Sequence, residues 1–282
     1  MERLTIGGAF SRTFAFMAQN WLSIVLWMGG ALALIIALGM MTMGNAFTAM
    51  AASPGNLGSF IGLFARMALF GLAATVVLYA AGLMIWRGAL VPGSAAGDVG
   101  WAIGAGALYA LAYFVLMIVL YIVLIIALLV FGLIFAAITG GAAFTPAAIQ
   151  SGAVAGGVLV AVVAIYLLFL LAIMWFQARL SVAGPVMAAR RLLNPITGIS
   201  ESWRLTGPSQ WRIVGFTLLI NIVIGVAVVV AAWIVGKLVG QGPAALIVVA
   251  VLVYLPALMV WMATPPAIYR EIVPADDAET FA

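Results

Sequence analysis

GAGALYALAYFVLMIVLYIVLIIALLVFGLIFAAI, residues 104–138, runs for 35 positions without a charged side chain. As an α-helix rising 1.5 Å per residue it would measure about 50 Å, against ~30 Å for the hydrocarbon core of a bilayer. Two shorter spans would solve the mismatch, but Ala107–Phe131 offers no glycine or proline at which to turn back. The run therefore reads as one membrane-crossing helix, either tilted and projecting beyond the bilayer or broken near Gly132.

The rest of the chain has the same character. Of its 282 residues 67% are hydrophobic and only 6% are charged, and the mean hydropathy is +1.33. A soluble domain carries about a quarter charged residues, so a water-soluble fold is excluded. Working outward from 104–138, further apolar runs near 21–43, 60–86, 154–176, 213–235 and 244–263 are each long enough to span. The predicted fold is all-α: a polytopic membrane protein with six transmembrane helices and short cytoplasmic interfacial helices. Residues 1–270 would form a single domain, and 271–282, with Asp276, Asp277 and Glu279, an acidic disordered tail.

Ahead of the first span, Ile6, Phe10, Phe14, Met17 and Trp21 form one helical stripe, as expected of a segment lying in the headgroup layer. Ala49-Met50-Ala51 fits a small-x-small cleavage rule, but the run 21–43 exceeds the 7–15 residues of a signal h-region, so the first span is expected to be retained.

Polar chemistry concentrates in residues 179–212, which hold five of the ten arginines: Arg179, Arg190, Arg191, Arg204 and Arg212. Within that stretch Gly184-Pro185 is expected to end the fourth helix, because proline cannot continue the hydrogen-bond ladder. Asn194-Pro195 should start a short helix with Asn as N-cap, and Gly207-Pro208 should stop it. Ile196, Ile199 and Trp203 share a face of that helix, which would lay it on the membrane with Trp203 among the headgroups. In the sixth span a kink is expected near Pro256 and closure at Pro265-Pro266.

Two polar groups fall inside apolar runs. Arg66 lies about 9 Å into the second span at 1.5 Å per residue, from where its long stem can snorkel to the near headgroups. Asn221 in the fifth span is expected to make an interhelical hydrogen bond, the alternative being a ligand contact.

With a cytoplasmic N-terminus, six spans place Arg3, Arg12, Arg87, Arg179, Arg190, Arg191, Arg204, Arg212 and Arg270 inside and only Arg66 and Lys237 outside. That imbalance puts both termini in the cytoplasm, in keeping with the positive-inside tendency of membrane proteins. Short matches link Gln19-Asn20-Trp21 with Gln210-Trp211, and Trp86-Arg87 with Tyr269-Arg270. They predict that the first two helices repeat as the last two, with Trp21 falling on Trp211 and Arg87 on Arg270, and the third and fourth as an inserted hairpin.

The block Arg179…Pro185…Ser202-Trp203-Arg204-Leu205-Thr206-Gly207…Trp211-Arg212, with Tyr269-Arg270 at the end of the last span, resembles the membrane domain found beside glycerophosphoryl diester phosphodiesterases in some bacteria, and its stand-alone inner-membrane relatives. The resemblance covers the whole chain by hydropathy and about 40 residues by motif. It implies a multi-pass protein of the bacterial inner membrane without the catalytic domain. Members often carry an acid a few positions after the proline, where this chain has Met187-Ala188-Ala189-Arg190-Arg191.

Histidine and cysteine are absent, which removes the usual general base, the commonest metal ligand and any thiolate nucleophile. Of the seven acidic residues, four lie from Glu271 onward, while Glu2, Asp98 and Glu201 occupy separate loops. Metal-assisted hydrolysis needs clustered ligands, so no enzyme activity, metal or cofactor is expected. The arginines lie at helix ends, so nucleic acid is not an expected partner. Two function classes remain. One is a non-catalytic module that binds membrane lipids, anionic phospholipids among them, or a partner protein through Arg179, Arg190, Arg191, Trp203, Arg204 and Arg212. The other is a transporter or channel for a small or amphipathic solute.

Overall fold

The computed structural model describes residues 4–44, 57–91, 98–138, 155–238 and 255–273, and among these it is helical with no strand. The helices are α1 (Ile6–Met43), α2 (Leu57–Leu90), α3 (Val99–Ile138), α4 (Ala155–Leu180), α5 (Ala183–Arg190), α6 (Pro195–Thr206), α7 (Gln210–Leu238) and α8 (Leu255–Ile272), with a 3-10 turn, Gly207–Ser209, between α6 and α7. Five stretches are long and apolar enough to cross a membrane: Ile6–Met43, Leu57–Leu90, Val99–Ile134, Val163–Arg190 and Pro195–Leu238. The start of the expected sixth span, and the tail beyond Val273, lie outside the described residues, and Pro256 falls at their edge.

The chain divides into two compact units, Tyr113–Gln177 and the remainder. The smaller is a pair of helical segments in which Tyr121 and Phe169 approach to 6.5 Å between ring centroids and no described side chain is buried. In the larger unit α1 packs between α2 and α8, and α5 sits against α2 and α6. Its core joins Phe16, Ile24 and Met28 of α1 to Leu83 and Trp86 of α2 and Met187 of α5. Gly106 of α3 presses on the backbone of Ala80, so close that a Cβ there would lie 2.8 Å from the Ala80 nitrogen.

Several expectations change. Residues 6–20 are not a separate headgroup helix. They are the first turns of α1, begun by Thr5, whose hydroxyl accepts the Gly8 N–H at 3.2 Å, and nothing interrupts the ladder before Met43. The run 104–138 is one helix that starts earlier, at Val99, and passes through Gly132 without a break. Pro185 does not end the fourth helix. That helix stops at Leu180, and Pro185 sits in the first turn of α5, where its missing N–H costs nothing.

Nor do Pro265 and Pro266 close the last helix, which continues to Ile272. A proline ring leaves the carbonyl four residues earlier without its helical donor. For Pro266 that carbonyl is Met262, and the indole Nε1 of Trp86 donates to it at 2.7 Å. Trp86 has room because α5 presents Gly184 to its ring.

The repeat is not found in the predicted register. Phe10 of α1 meets Phe216 of α7 edge-on, centroids 5.0 Å apart, and Ile6 reaches Gly215, so the two helices run in the same direction. At 1.5 Å per residue Trp21 lies about 16 Å beyond Phe10, whereas Trp211 lies about 7 Å before Phe216. The two tryptophans are therefore at different depths. Arg87 and Arg270 do share an end, since the Arg270 guanidinium donates to Ala89 O at 2.6 Å.

Candidate functional site

One end of the larger unit collects the start of α1, the ends of α2, α5 and α8, and the junction from α6 into α7. Leu4 N–H donates to Ser209 Oγ at 3.1 Å and Arg212 Nη1 to Leu4 O at 3.1 Å. Arg12 pairs with Glu271 and donates to Arg270 O. Arg87 donates to Ala188 O at 2.8 Å. Eight arginines (12, 87, 179, 190, 191, 204, 212 and 270) thus meet three carboxylates, Asp98, Glu201 and Glu271.

The centre of this end is Arg179, near the C-terminus of α4, and the Ser202–Gly207 segment is built around it. A helix C-terminus leaves its last carbonyls without intrahelical donors. The Arg179 carbonyl is supplied by Ser202 Oγ at 2.7 Å and by Thr206 Oγ1 at 3.3 Å. Those two hydroxyls lie four residues apart, hence on one face of α6, and that face (Pro195, Gly198, Ser202, Thr206) is the buried one. Trp203 lays its ring 4.4 Å from the guanidinium carbon, and a Cβ on Gly207 would come within 3.0 Å of Nη1. The short motif is therefore a receptor for a single arginine: two hydroxyls for its carbonyl, an indole for its cation and a glycine for space. Arg179 is only 7% exposed, and its Nε and Nη1 have no hydrogen-bond partner.

The other arginines are arranged in pairs about shared carboxylates. Glu201 receives Arg190 at 3.3 Å and Arg204 at 2.7 Å. Asp98 receives Arg87 and, at 3.0 Å, Arg191. The hydrogen bond from Arg87, reinforced by the charges of both arginines, holds the Asp98 carboxyl below its ordinary value even though burial pushes the other way. Arg191 ends α5 with a left-handed φ of 51°, a turn closed by Leu192 N–H on Met187 O. Its side chain is 57% exposed and that of Arg204 64%. Each carboxylate neutralises one of its two guanidiniums, so positive charge remains at the surface.

Asn221 makes the expected interhelical bond: its Oδ1 accepts Trp261 Nε1 of α8 at 3.1 Å. Arg66 is exposed and distant from this end. Along α2 it is about 32 Å from Arg87, one hydrocarbon thickness, and Lys237 is likewise about 38 Å from Arg212 along α7. Sequence reasoning singled out the arginines of 179–212 and Trp203 but missed Asp98, Glu201, Ser202 and Gly207 as their partners. The four-residue spacing of Ser202 and Thr206 was the available signal.

A second feature is an apolar groove of about 450 Å³ between α1, α2 and α3, lined by Trp27, Gly30, Val77, Met84 and Ile103 among others. Among the described residues no three acidic side chains gather where a metal could be held. Compared with family models, curated proteins and solved structures, the chain matches none. What the fold itself defines is an all-helical chain whose long apolar helices are compatible with a multi-pass membrane protein.

Proposed function

We propose that this chain is a non-catalytic, six-span protein of the bacterial inner membrane, with both termini in the cytoplasm, whose arginine-rich end binds anionic phospholipid headgroups. The observation that carries the reading is the excess of arginine over carboxylate at one end of a helical unit whose sides are hydrocarbon-like. Each basic group near an anionic leaflet contributes about 1 kcal/mol within a Debye length of roughly 8–10 Å. The apolar face of α6, with Ile196 70% and Trp203 37% exposed, points away from the protein, as an interfacial helix requires. The separation of Arg66 and Lys237 from that end by about one membrane thickness supports both the span count and the orientation. The resemblance to the glycerophosphoryl diester phosphodiesterase membrane domain is part of the same proposal. It gains a physical account, since the shared Ser-Trp-x-Leu-Thr-Gly segment is what Arg179 needs.

The alternative, a transporter or channel for an amphipathic solute, has the apolar groove in its favour. That groove offers no polar group to recognise a solute, but its Met84 and Val99 lie one turn or less from Arg87 and Asp98. Hydrocarbon beside a cationic rim fits a lipid acyl chain and its headgroup better than a transported solute.

Two experiments test the reading. Cysteines introduced at Ser200 and Leu57 should label from the cytoplasm and from outside, respectively; the reverse pattern ends the topology. Arg190→Gln/Arg191→Gln/Arg204→Gln should reduce phosphatidylglycerol retained in native mass spectrometry without changing orientation, and unchanged retention ends the lipid-binding reading. Solute flux in liposomes would then decide for transport.

A further inference from the structure

We propose that the Arg179 guanidinium is the receptor for one phosphate group, carried by a lipid headgroup or free as inorganic phosphate. The proposal deepens the lipid-binding reading and depends on it only for the source of the phosphate. Arg179 differs from the arginines around it. Arg87, Arg190, Arg191 and Arg204 have carboxylates and Arg212 has a carbonyl, whereas no described carboxylate pairs with Arg179. Its Nε and Nη1 are buried with no acceptor in the chain. A buried charged donor without an acceptor is strongly destabilising, and proteins either remove it or supply the acceptor.

The surroundings define what that acceptor is. Trp203 stacks at 4.4 Å and occupies the face of the guanidinium, so a ligand must approach in the plane of the fork, where N–H groups point. Two N–H groups in one plane match two oxygens of a phosphate, the geometry in which arginine binds most strongly. Gly207 stands at the Nη1 edge, and any larger residue would push a carbon to 3.0 Å from that nitrogen. The one nearby carboxylate on α6, Glu201, is already held by Arg190 and Arg204 and is not available to the fork.

The test measures thermal unfolding of the purified full chain in detergent with phosphatidylglycerol, with diacylglycerol, with inorganic phosphate and with no addition. Wild type should be stabilised by phosphatidylglycerol and not by diacylglycerol. An equal shift with inorganic phosphate identifies a free anion as the ligand, and its absence identifies the lipid headgroup. Arg179→Met, which removes the buried charge along with its ligand, should fold, lose the shift and bind the active ligand about tenfold or more weakly. Gly207→Ala keeps the charge and crowds the fork, and should weaken binding in the same direction; it decides the matter if Arg179→Met does not fold. Wild-type shifts in both variants overturn the proposal. Loss of the shift in Arg190→Gln/Arg191→Gln/Arg204→Gln alone leaves the arginine-face reading standing and removes this one. Loss in the Arg179 and Gly207 variants alone does the opposite.

Discussion

Replacing Gly184 with alanine places a methyl group against the indole that holds the last helix together. A Cβ at Gly184 would lie 2.9 Å from both Cε3 and Cη2 of Trp86, and nearer still to Cζ3. These atoms belong to a rigid ring that is only 5% exposed, so it can make room only by moving as a whole. Overpacking of this kind costs about 1–3 kcal/mol. If the ring swings, the 2.7 Å bond from Nε1 to Met262 O is lost as well. The carbonyl that Pro266 leaves unpaired is then without a donor in the interior, at about another 1–3 kcal/mol. Gly184→Ala should therefore destabilise by about 2–5 kcal/mol in total. Trp86→Phe, which removes the N–H and shrinks the ring, should cost about 1–3 kcal/mol alone. In the double variant the smaller ring relieves the clash and the bond is already gone, so the two changes must be less than additive by at least about 1 kcal/mol. Reversible unfolding in mixed micelles of fixed composition measures all four corners of the cycle. Additivity within about 0.5 kcal/mol, the behaviour of independent sites, would refute the coupling of α5, α2 and α8 through this indole.

Two further perturbations follow from the polar contacts. Asp98 has its pKa lowered from 3.8 in the folded chain, so its stabilising contribution is fully present above that value and is lost as pH falls below it, through the folded pKa. Thermal melts should show Asp98→Asn less stable than wild type near neutrality and insensitive to the acid window in which wild type loses stability; a matching acid loss in the variant would sink this assignment. Asn221→Leu and Trp261→Phe should each cost about 0.6–2 kcal/mol, the range for a hydrogen bond between helices in hydrocarbon, and the double variant no more than either. Twice that loss in the double variant would show that the 3.1 Å contact is not one shared bond.

The long apolar runs were legible because helix length and hydropathy suffice for them: 104–138 reads as one helix from its lack of turn residues, and α3 is one helix. Asn194-Pro195 was legible for a similar reason, because capping is local, and Asn194 Oδ1 does accept the Ile196 N–H at 3.0 Å. What misled were prolines whose cost is met from elsewhere in the chain. Pro266 looks like a helix end until Trp86, 176 residues from Met262, is seen to supply the missing donor. Pro185 looks like one because the break at Leu180 comes just before it. The site was half legible. Arginine density pointed to the right segment, but the pairing of Arg87 with Asp98 and of Arg179 with Ser202 depends on tertiary contact that no local pattern encodes.

The packing of α1 against α8 also sets a schedule for biosynthesis. Arg12 donates to the carbonyl of Arg270, 258 residues later in the chain. At about 5–20 residues per second, ribosomes need roughly 13–50 s to make the sequence between them. For that interval the face of α1 that α8 will cover is turned toward lipid or toward the insertion machinery, and Arg12 has no Glu271. Ribosomes that stall before α8 leave a bundle open along its oldest helix, which is the surface a membrane chaperone or quality-control protease would meet.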